Sequence, residues 1–261
     1  MNEEKEKVMK QFGANASKYV SSKSHAKGED LAILVDWIKP DKEWSVLDIA
    51  TGGGHVAKAL ALHVNEVFAT DLTKAMLENT STHLKKSFEN IKFVIADAEK
   101  LPFLDRTFDV VTCRIAPHHF PTPKDFISEA ARVLKPGGLF LMIDNVVPED
   151  RELATFMNTF EKMRDESHVA CLPVSRWESY LKGEEMEEVR SLKKKKTYRF
   201  PGWVERTTTS SAQVNGVHQY ILQASKRVHD YFQVEIQSEK VASVTVDEWM
   251  ILYKKSMGRT E

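Results

Sequence analysis

Short apolar segments alternate with helical segments between residues 31 and 147, and this alternation narrows the folds that the chain can adopt. The apolar segments begin near residues 46, 66, 91, 108 and 139 and are rich in Val, Ile, Leu and Phe. Strands that alternate with helices form right-handed parallel βαβ units, in which helices cover both faces of the sheet. The pattern therefore predicts an α/β fold with a doubly wound, mostly parallel sheet. Ligands of such sheets bind at the carboxyl ends of the strands.

The alternation stops after residue 147. The next segment, 148–185, predicts two helices with no strand between them. Its apolar residues lie either in the core or in the inner face of a lid over the ligand; they are Phe156, Met157, Phe160 and Trp177. The rest of the chain predicts two strands, 187–200 and 241–254, with helices near 203–208 and 212–228 between them.

Charge and cysteine content exclude several classes of protein. The chain has 37 Lys and Arg against 38 Asp and Glu, so it lacks the excess of basic residues on which affinity for nucleic acid largely depends. We interpret the lysine run 193–196 as a solvated strand edge, because basic side chains protect sheet edges from pairing. Only two cysteines are present, Cys113 and Cys171, which predicts a reducing, cytoplasmic location. No metal site, membrane span or signal peptide is expected.

Charged side chains lie at the ends of four predicted strands. Asp48, Asp71 and Asp97 mark the first three strands, and Arg114 follows the fourth. Since the carboxyl ends of parallel strands meet at one edge of a sheet, we expect these side chains to converge on a single site.

A glycine loop at residues 52–54 follows the first strand and opens a helix at His55. Glycines let a ligand approach the backbone closely, but such loops occur in many nucleotide-binding folds. The dinucleotide fingerprint expects glycine at position 57, where this chain has Ala, and Asp48 beside the loop would repel a pyrophosphate. A carboxylate there suits a cationic amino group, while the positive end of the helix suits a carboxylate. Together they predict a ligand with an amino-acid zwitterion.

Two further carboxylates suit a nucleoside. Asp71 lies 19 residues after Gly52, at the end of the second strand, where a carboxylate accepts hydrogen bonds from ribose hydroxyls. Asp97 and Ala98 are placed to bind the amino edge of adenine. Two apolar residues would form the walls, Leu72 and Met76. Ribose, adenine and an amino-acid zwitterion together describe S-adenosylmethionine, which we predict as the cofactor.

Four stretches of the chain match the pattern of a known family: VLDIATGGGH (46–55), VFATDLTKAML (67–77), FVIADAEKLPF (93–103) and FDVVTCRIAPHHFPTPKDFISEAARVLKPGGLFLMID (108–144). They resemble class I S-adenosylmethionine-dependent methyltransferases, in particular the ubiquinone/menaquinone-biosynthesis C-methyltransferase-like group. The resemblance covers about residues 10–147 and departs at Ala50, which stands at the family's first loop glycine. It implies a Rossmann-like, mostly parallel sheet of seven strands with the last strand reversed.

The resemblance also implies roles for individual residues. The methionine part of the cofactor would be lined by Asp48, Thr51, Gly52 and Gly54. Asp71 and Asp97 would keep the ribose and adenine roles given above. The N-terminal pattern Phe12-Gly13-x-x-Ala16-x-x-Tyr19 resembles the family's lid helix and would place Tyr19 over the cofactor, where an aromatic face attracts a sulfonium.

On this basis we divide the chain into four regions. Residues 1–30 form the N-terminal lid-helix region, and residues 31–147 form the core that binds S-adenosylmethionine. Residues 148–185 form a helical insertion that covers the substrate, and residues 186–261 complete the same sheet. The sequence allows a homodimer without requiring one.

Residues beyond the fourth strand lie where a methyl acceptor would bind. His118 and His119 suit proton removal near neutral pH, and Arg114 would contact the cofactor carboxylate or an acidic substrate. The segment 113–117 lacks the Asn/Asp-Pro-Pro-aromatic motif of enzymes that methylate base amino groups. We therefore predict a small, apolar or aromatic acceptor and no nucleic acid.

Two other functions remain open. An NAD(P)-dependent oxidoreductase would share the sheet and Asp71, but it favours a loop without Asp48. A non-catalytic S-adenosylmethionine-binding regulatory protein would use the same crevice and transfer no methyl group. Binding of S-adenosylhomocysteine rather than NAD would distinguish a methyltransferase from the oxidoreductase. Methyl transfer to an acceptor would distinguish it from the regulatory protein.

Overall fold

The computed structural model describes residues 2–20 and 28–258, apart from the side chains of residues 14–20. The strands in this part of the chain are β1 (Ser45–Ile49), β2 (Glu66–Asp71), β3 (Ile91–Ile95), β4 (Phe108–Arg114), β5 (Leu134–Val146), β6 (Met186–Arg199), β7 (Glu235–Gln237) and β8 (Lys240–Lys255). The α-helices there are α1 (Glu3–Val20), α2 (Glu29–Ile38), α3 (His55–Ala61), α4 (Lys74–Leu84), α5 (Pro123–Val133), α6 (Arg151–Arg164), α7 (Val174–Gly183), α8 (Ser211–Leu222) and α9 (Lys226–Tyr231). A 3-10 turn spans Pro117–His119.

The strands form one sheet in the order β3-β2-β1-β4-β5-β8-β6. Neighbours among β1 to β5 are parallel, whereas β8 runs antiparallel to both β5 and β6. This confirms the doubly wound, mostly parallel sheet with a reversed last strand. Beside these seven strands, the short β7 forms a hairpin with β8. The two hairpin residues, Ser238 and Glu239, both have positive φ, as a two-residue hairpin turn of this type requires.

Strand β5 begins earlier than the sequence predicts. We expected Pro136-Gly137-Gly138 to separate a helix from a strand that starts at residue 139, but β5 already starts at Leu134. The pairing of β4 with β5 shifts register between Phe108 and Val110, which accommodates the Pro-Gly-Gly segment as an irregularity inside the strand.

The two helices expected between β6 and β8 differ from the prediction. Residues 203–207 form successive turns rather than a helix, and the predicted segment ends in the β-branched residues Thr207 and Thr208, which have low helix propensity. The predicted helix 212–228 is divided into α8 and α9. The division occurs at Ser225, whose hydroxyl accepts a hydrogen bond from the Val228 N–H and so caps the start of α9.

The apolar residues of α6 and α7 belong to the core. Phe156, Met157 and Phe160 lie buried in an apolar cluster with residues of α8, α9 and β8. Trp177 packs edge-on against Phe126 in a second cluster beneath the sheet. Of the two alternatives left open for these four residues, the structure supports the core, so they give no support for an apolar ligand.

Truncation of Phe160 tests this assignment. Because the ring is fully buried, we expect Phe160→Ala to lower the free energy of unfolding by about 3–5 kcal/mol. Affinity for S-adenosylhomocysteine should not change, since the ring faces no ligand. Urea unfolding and calorimetric titration measure the two quantities. Phe160→Leu provides a milder variant, and Leu62→Ala, at an exposed position, provides the control. Loss of ligand affinity in Phe160→Leu with unchanged stability would restore the lid assignment.

Candidate functional site

A cavity of about 120 Å³ lies at the carboxyl ends of β1 to β4. We call it the first cavity. It brings together most of the residues that the sequence assigned to a cofactor: Asp48, Thr51, Gly52, Asp71, Leu72, Met76, Asp97, Ala98 and Arg114. His119 also lines it, together with residues of α1. The strand ends therefore converge on one site, as the alternation of strands and helices indicated.

Asp48 lies at the deepest point of the hydrogen-bond network around this cavity. Its carboxylate accepts hydrogen bonds from the hydroxyls of Thr51 at 2.6 Å and Thr112 at 2.8 Å. Burial nevertheless raises the pKa of Asp48 from its ordinary value of 3.8 to about 6, because an ionised carboxylate loses solvation there. A cationic group in the cavity would restore the ionised form.

Asp71 joins the end of β2 to the glycine loop. Its carboxylate accepts hydrogen bonds from the backbone N–H of Gly52 at 3.1 Å and of Thr73 at 2.8 Å. Burial raises the pKa of this carboxyl as well, although these hydrogen bonds oppose the shift. The loop is thus fixed by the residue that the sequence assigned to the ribose.

The loop residues divide into two roles. Gly52, with φ +51°, lines the first cavity, whereas Gly54 faces α4. A Cβ on Gly54 would come within 2.6 Å of both Thr80 and Leu84, so the residue permits close packing. Ala50 adopts a φ of +52°, the left-handed region that disfavours a Cβ. The loop conformation therefore persists at the position where the family has glycine.

Helix α1 closes the first cavity from the side of the N-terminus. Lys5, Val8 and Phe12 line the cavity. The Lys5 ammonium lies 2.6 Å from a carboxylate oxygen of Asp97 and 2.5 Å from one of Glu99. The position of α1 fits the predicted lid. The Tyr19 side chain lies outside the described residues.

Arg114 is paired with a residue that sequence analysis missed. Its guanidinium lies 2.6 Å from the carboxylate of Asp30 at the start of α2. Burial alone would raise the pKa of Asp30, but the hydrogen bond and charge of Arg114 outweigh burial and lower it. The next residue, Ile115, has a φ of +54°, which is a strained conformation for a β-branched side chain. It lines the same cavity.

The two histidines of the 3-10 turn have different surroundings. Nδ1 of His118 donates a hydrogen bond to Asp144 at the end of β5, at 2.7 Å. Burial by itself would lower the pKa of His118, but the charge of Asp144 outweighs it and raises that pKa. Nδ1 of His119 donates to the carbonyl oxygen of Ser167 at 3.0 Å. Burial and the neighbouring His118 lower the pKa of His119 to about 4.

A second cavity, of about 770 Å³, adjoins the first. Phe12, Arg114, Ile115 and His119 line both cavities, so the two spaces meet at the end of β4. The second cavity extends along β6 and the turns at residues 202–207. His118 lines this cavity, which therefore lies on the side where we expected a methyl acceptor.

The lysine run 193–196 is more than a solvated strand edge. Because side chains alternate along a strand, Lys194 and Lys196 share one face of β6, where both ammonium groups contact the buried carboxylate of Glu248. Lys193 and Lys195 contact Asp247 instead. Three of the four lysines, 194–196, line the second cavity. The predicted basic strand edge is confirmed, because β6 is the edge strand of the sheet and Lys195 is exposed; the sequence analysis missed only the cavity that this edge also lines.

Residues 2–20 and 28–258 contain neither a candidate metal centre nor a candidate membrane span. No group of His, Cys, Asp and Glu in them has an arrangement that could hold a metal ion. No helix in the same ranges has both the length and the apolar character needed to cross a membrane.

Comparison with known proteins identifies the family. A family model described as "Methyltransferase domain" matches residues 47–142. The "uncharacterized methyltransferase YcgJ" of Bacillus subtilis is 34% identical over 226 residues, which cover 86% of this chain and 89% of that protein. The crystal structure of the methyltransferase-like protein BH2331 from Bacillus halodurans C-125 superposes on this chain with a TM-score of 0.85 and 35% sequence identity. The match covers 88% of this chain and 100% of BH2331.

The chain belongs to the class I S-adenosylmethionine-dependent methyltransferases. The C-methyltransferase UbiE of Ectopseudomonas mendocina is 34% identical to this methyltransferase over 166 residues, covering 59% of this chain and 64% of that protein. S-adenosylmethionine is the cofactor. Two more distant methyltransferase structures of the same fold are complexes with its demethylated form, S-adenosylhomocysteine.

The raised pKa of Asp48 makes the stability of the methyltransferase depend on pH. The folded protein binds the Asp48 proton more tightly than the unfolded chain does, so ionisation of this group destabilises the fold. Between pH 4 and 6 we expect the wild type to lose up to about 3 kcal/mol relative to Asp48→Asn, whose amide does not titrate. Above about pH 6.5 the difference should be constant.

Urea unfolding of both proteins across this pH range, without ligand, measures the difference. Asp36→Asn, at an exposed position in α2, controls for the loss of one carboxylate. A wild type and Asp48→Asn whose stabilities remain parallel from pH 4 to 7 would contradict the buried, raised state of Asp48.

Proposed function

We propose that this methyltransferase binds S-adenosylmethionine in the first cavity and a small-molecule methyl acceptor in the second. The observation that carries the proposal is the charge of the first cavity: Asp48, Asp71, Asp97 and Glu99 line it beside the glycine loop. Four carboxylates suit a ligand with a cationic sulfonium and a cationic ammonium, and they disfavour a phosphate. The second cavity, of about 770 Å³, has the size of a small-molecule pocket and so supports a small acceptor rather than nucleic acid.

The proposed cofactor contacts follow from the positions of the lining residues. Asp48 would bind the ammonium, Asp71 the ribose hydroxyls, and Asp97 with Ala98 the adenine. Leu72 and Met76 supply the apolar walls. The junction of the two cavities contains Arg114, which would meet the carboxylate of the cofactor or of the acceptor.

The chain contributes to the reaction mainly by positioning. When bound, the cofactor supplies a methyl group whose bond to sulfur breaks, with the electron pair kept by sulfur, as the acceptor forms its bond to that carbon. The walls shared by the two cavities hold the acceptor in line with this bond, and such orientation supplies up to roughly 7–11 kcal/mol. Helix α1 covers the first cavity and excludes water.

Some methyl acceptors lose a proton when they are methylated. For such a molecule we assign the role of general base to His118 rather than His119. The hydrogen bond to Asp144 fixes the proton of His118 on Nδ1 and leaves Nε2 to exchange a proton. A base works best when its pKa lies near the operating pH, and the pKa of about 4 makes His119 a weak base. His119 instead contributes a neutral ring between the two cavities.

The proposal includes the division of the chain into four regions and a cytoplasmic location. Residues 164 and 165, at the end of α6, line the second cavity, which supports a covering role for 148–185. The sheet pairing of β6 and β8 supports the assignment of 186–261 to the same fold. Both cysteines are buried and free, which fits a reducing cytoplasm.

Ligand-induced stabilisation tests the cofactor site. At 100 times its dissociation constant, S-adenosylhomocysteine should stabilise the protein by about 2.7 kcal/mol, and NAD should not. Asp71→Ala should lower the affinity for S-adenosylhomocysteine at least tenfold, because it removes the carboxylate assigned to the ribose. Thermal shift and calorimetric titration measure both effects, with Asp36→Ala as the control. Stabilisation by NAD alone would support the oxidoreductase, and equal affinity in Asp71→Ala would remove Asp71 from the site.

Histidine titration by nuclear magnetic resonance tests the proton acceptor without a known substrate. His118 should titrate above the ordinary value of 6.5, while His119 stays neutral down to about pH 4. Asp144→Asn should lower the pKa of His118, because burial then acts without the opposing charge. An unchanged His118 titration in Asp144→Asn would contradict the assignment. Methyl transfer to any acceptor in a panel separates this enzyme from a non-catalytic regulatory protein.

A further inference from the structure

The two cavities have opposite charge. The lining of the first cavity includes four Asp and Glu against two Lys and Arg. The lining of the second includes seven Lys and Arg against four Asp and Glu. The chain as a whole is almost neutral, with 37 basic and 38 acidic residues. The excess of basic groups around the second cavity is therefore a local feature rather than a result of composition.

Ion pairs compensate only part of this basic lining. Two side chains have a carboxylate partner of their own, Arg114 with Asp30 and Arg164 with Glu161, whereas Lys195 shares Asp247 with Lys193. Lys194 and Lys196 share the single carboxylate of Glu248. In the described part of the chain, Arg199 and Arg206 form no ion pair. Arg206 is half-buried and Arg199 is exposed, so both are accessible to a ligand in the cavity. A cleft lined by an excess of one charge attracts ligands of the opposite charge.

The cations lie on a rigid wall. Lys196 and Tyr198 share the cavity face of β6, and the Tyr198 ring stacks on Trp203 with 4.7 Å between centroids. The guanidinium of Arg164 lies 4.2 Å from the centre of the Trp203 ring. Arg199 ends β6, and Arg206 lies on the turns that follow. This wall, His118 and the junction with the first cavity all belong to the lining of the second cavity.

We propose that the methyl acceptor is a small organic anion whose carboxylate or phosphate group binds Arg199, Arg206 and Lys196. The inference deepens the proposed function and rests on it, because it takes the second cavity as the acceptor site. The anionic group is the recognition group and stays charged. A different atom of the same molecule receives the methyl group near His118. The acceptor is thus held at its charged end, while its reactive end meets the cofactor at the junction of the cavities.

Isosteric probes separate charge from shape. With S-adenosylhomocysteine at saturation, we would measure the affinities of phenylacetate, phenyl phosphate and neutral phenylacetamide by calorimetric titration. At least one of the two anions should bind at least tenfold more tightly than the amide. Its affinity should fall as the salt concentration rises, because screening weakens attraction to partly exposed cations. A preference for phenyl phosphate or for phenylacetate identifies which anionic group the site selects.

Arginine variants locate the interaction. The double variant Arg199→Gln/Arg206→Gln should lower the affinity for the preferred anion at least tenfold and leave the affinity for S-adenosylhomocysteine unchanged. Arg151→Gln/Arg176→Gln removes the same number of charges at exposed positions outside both cavities and should bind as the wild type does. An unchanged anion affinity in the first double variant would overturn the proposal.

The remaining outcomes are also decisive. If neither anion binds more tightly than phenylacetamide, or if neither anion binds while S-adenosylhomocysteine does, the anionic acceptor is overturned and the methyltransferase assignment stays intact. Absence of S-adenosylhomocysteine binding would instead count against the cofactor site. Inorganic phosphate that binds as tightly as phenyl phosphate would show an anion site without a place for the organic part, which also contradicts the proposal.

Discussion

The carboxylate of Asp71 fixes the geometry on which the site depends. It accepts hydrogen bonds from the backbone of Gly52 in the loop after β1 and from Thr73 before α4. The side chain at the end of β2 thereby fixes the loop that follows the neighbouring strand β1. In that loop Ala50 and Gly52 have positive φ, a conformation that L-residues such as Ala50 rarely adopt. Gly52 and Asp71 both line the first cavity, so loss of this connection would alter the cavity at the glycine loop.

Burial gives these carboxylates a shared property. Asp48 and Asp71 both have a raised pKa because each loses solvation, although several hydrogen bonds favour the ionised form. A cationic ligand reverses the penalty, since it replaces water as the source of a favourable field. The second cavity presents the opposite case, in which basic groups exceed their partners. A cation and an anion in adjacent cavities would also attract each other across the junction at Arg114 and His119, which favours the approach of the reacting atoms.

The sequence predicts this architecture to the extent that local patterns determine it. Each short apolar segment identifies a strand and shows where that strand ends. Asp48, Asp71 and Asp97 could therefore be assigned to one edge of the sheet. Asp30 and Asp144 were missed because their partners lie 84 and 26 residues away, and only the folded chain brings them together. The cavity beside the lysine run was missed for a similar reason. Which lysines face a cavity depends on the register of β6 against β8, and that register places Glu248 opposite Lys194.

The volumes of the two cavities suggest how ligands enter. Pockets for ligands of this size usually measure about 300–1,000 Å³, whereas the first cavity measures about 120 Å³ with Lys5, Val8 and Phe12 of α1 in its lining. Lys5 holds the helix there through Asp97 and Glu99, the former being the residue assigned to adenine. In the proposed complex, the cofactor and Lys5 would compete for the carboxylate of Asp97. Phe12 of the same helix lines both cavities, so a displacement of α1 that admits the cofactor also opens the acceptor side.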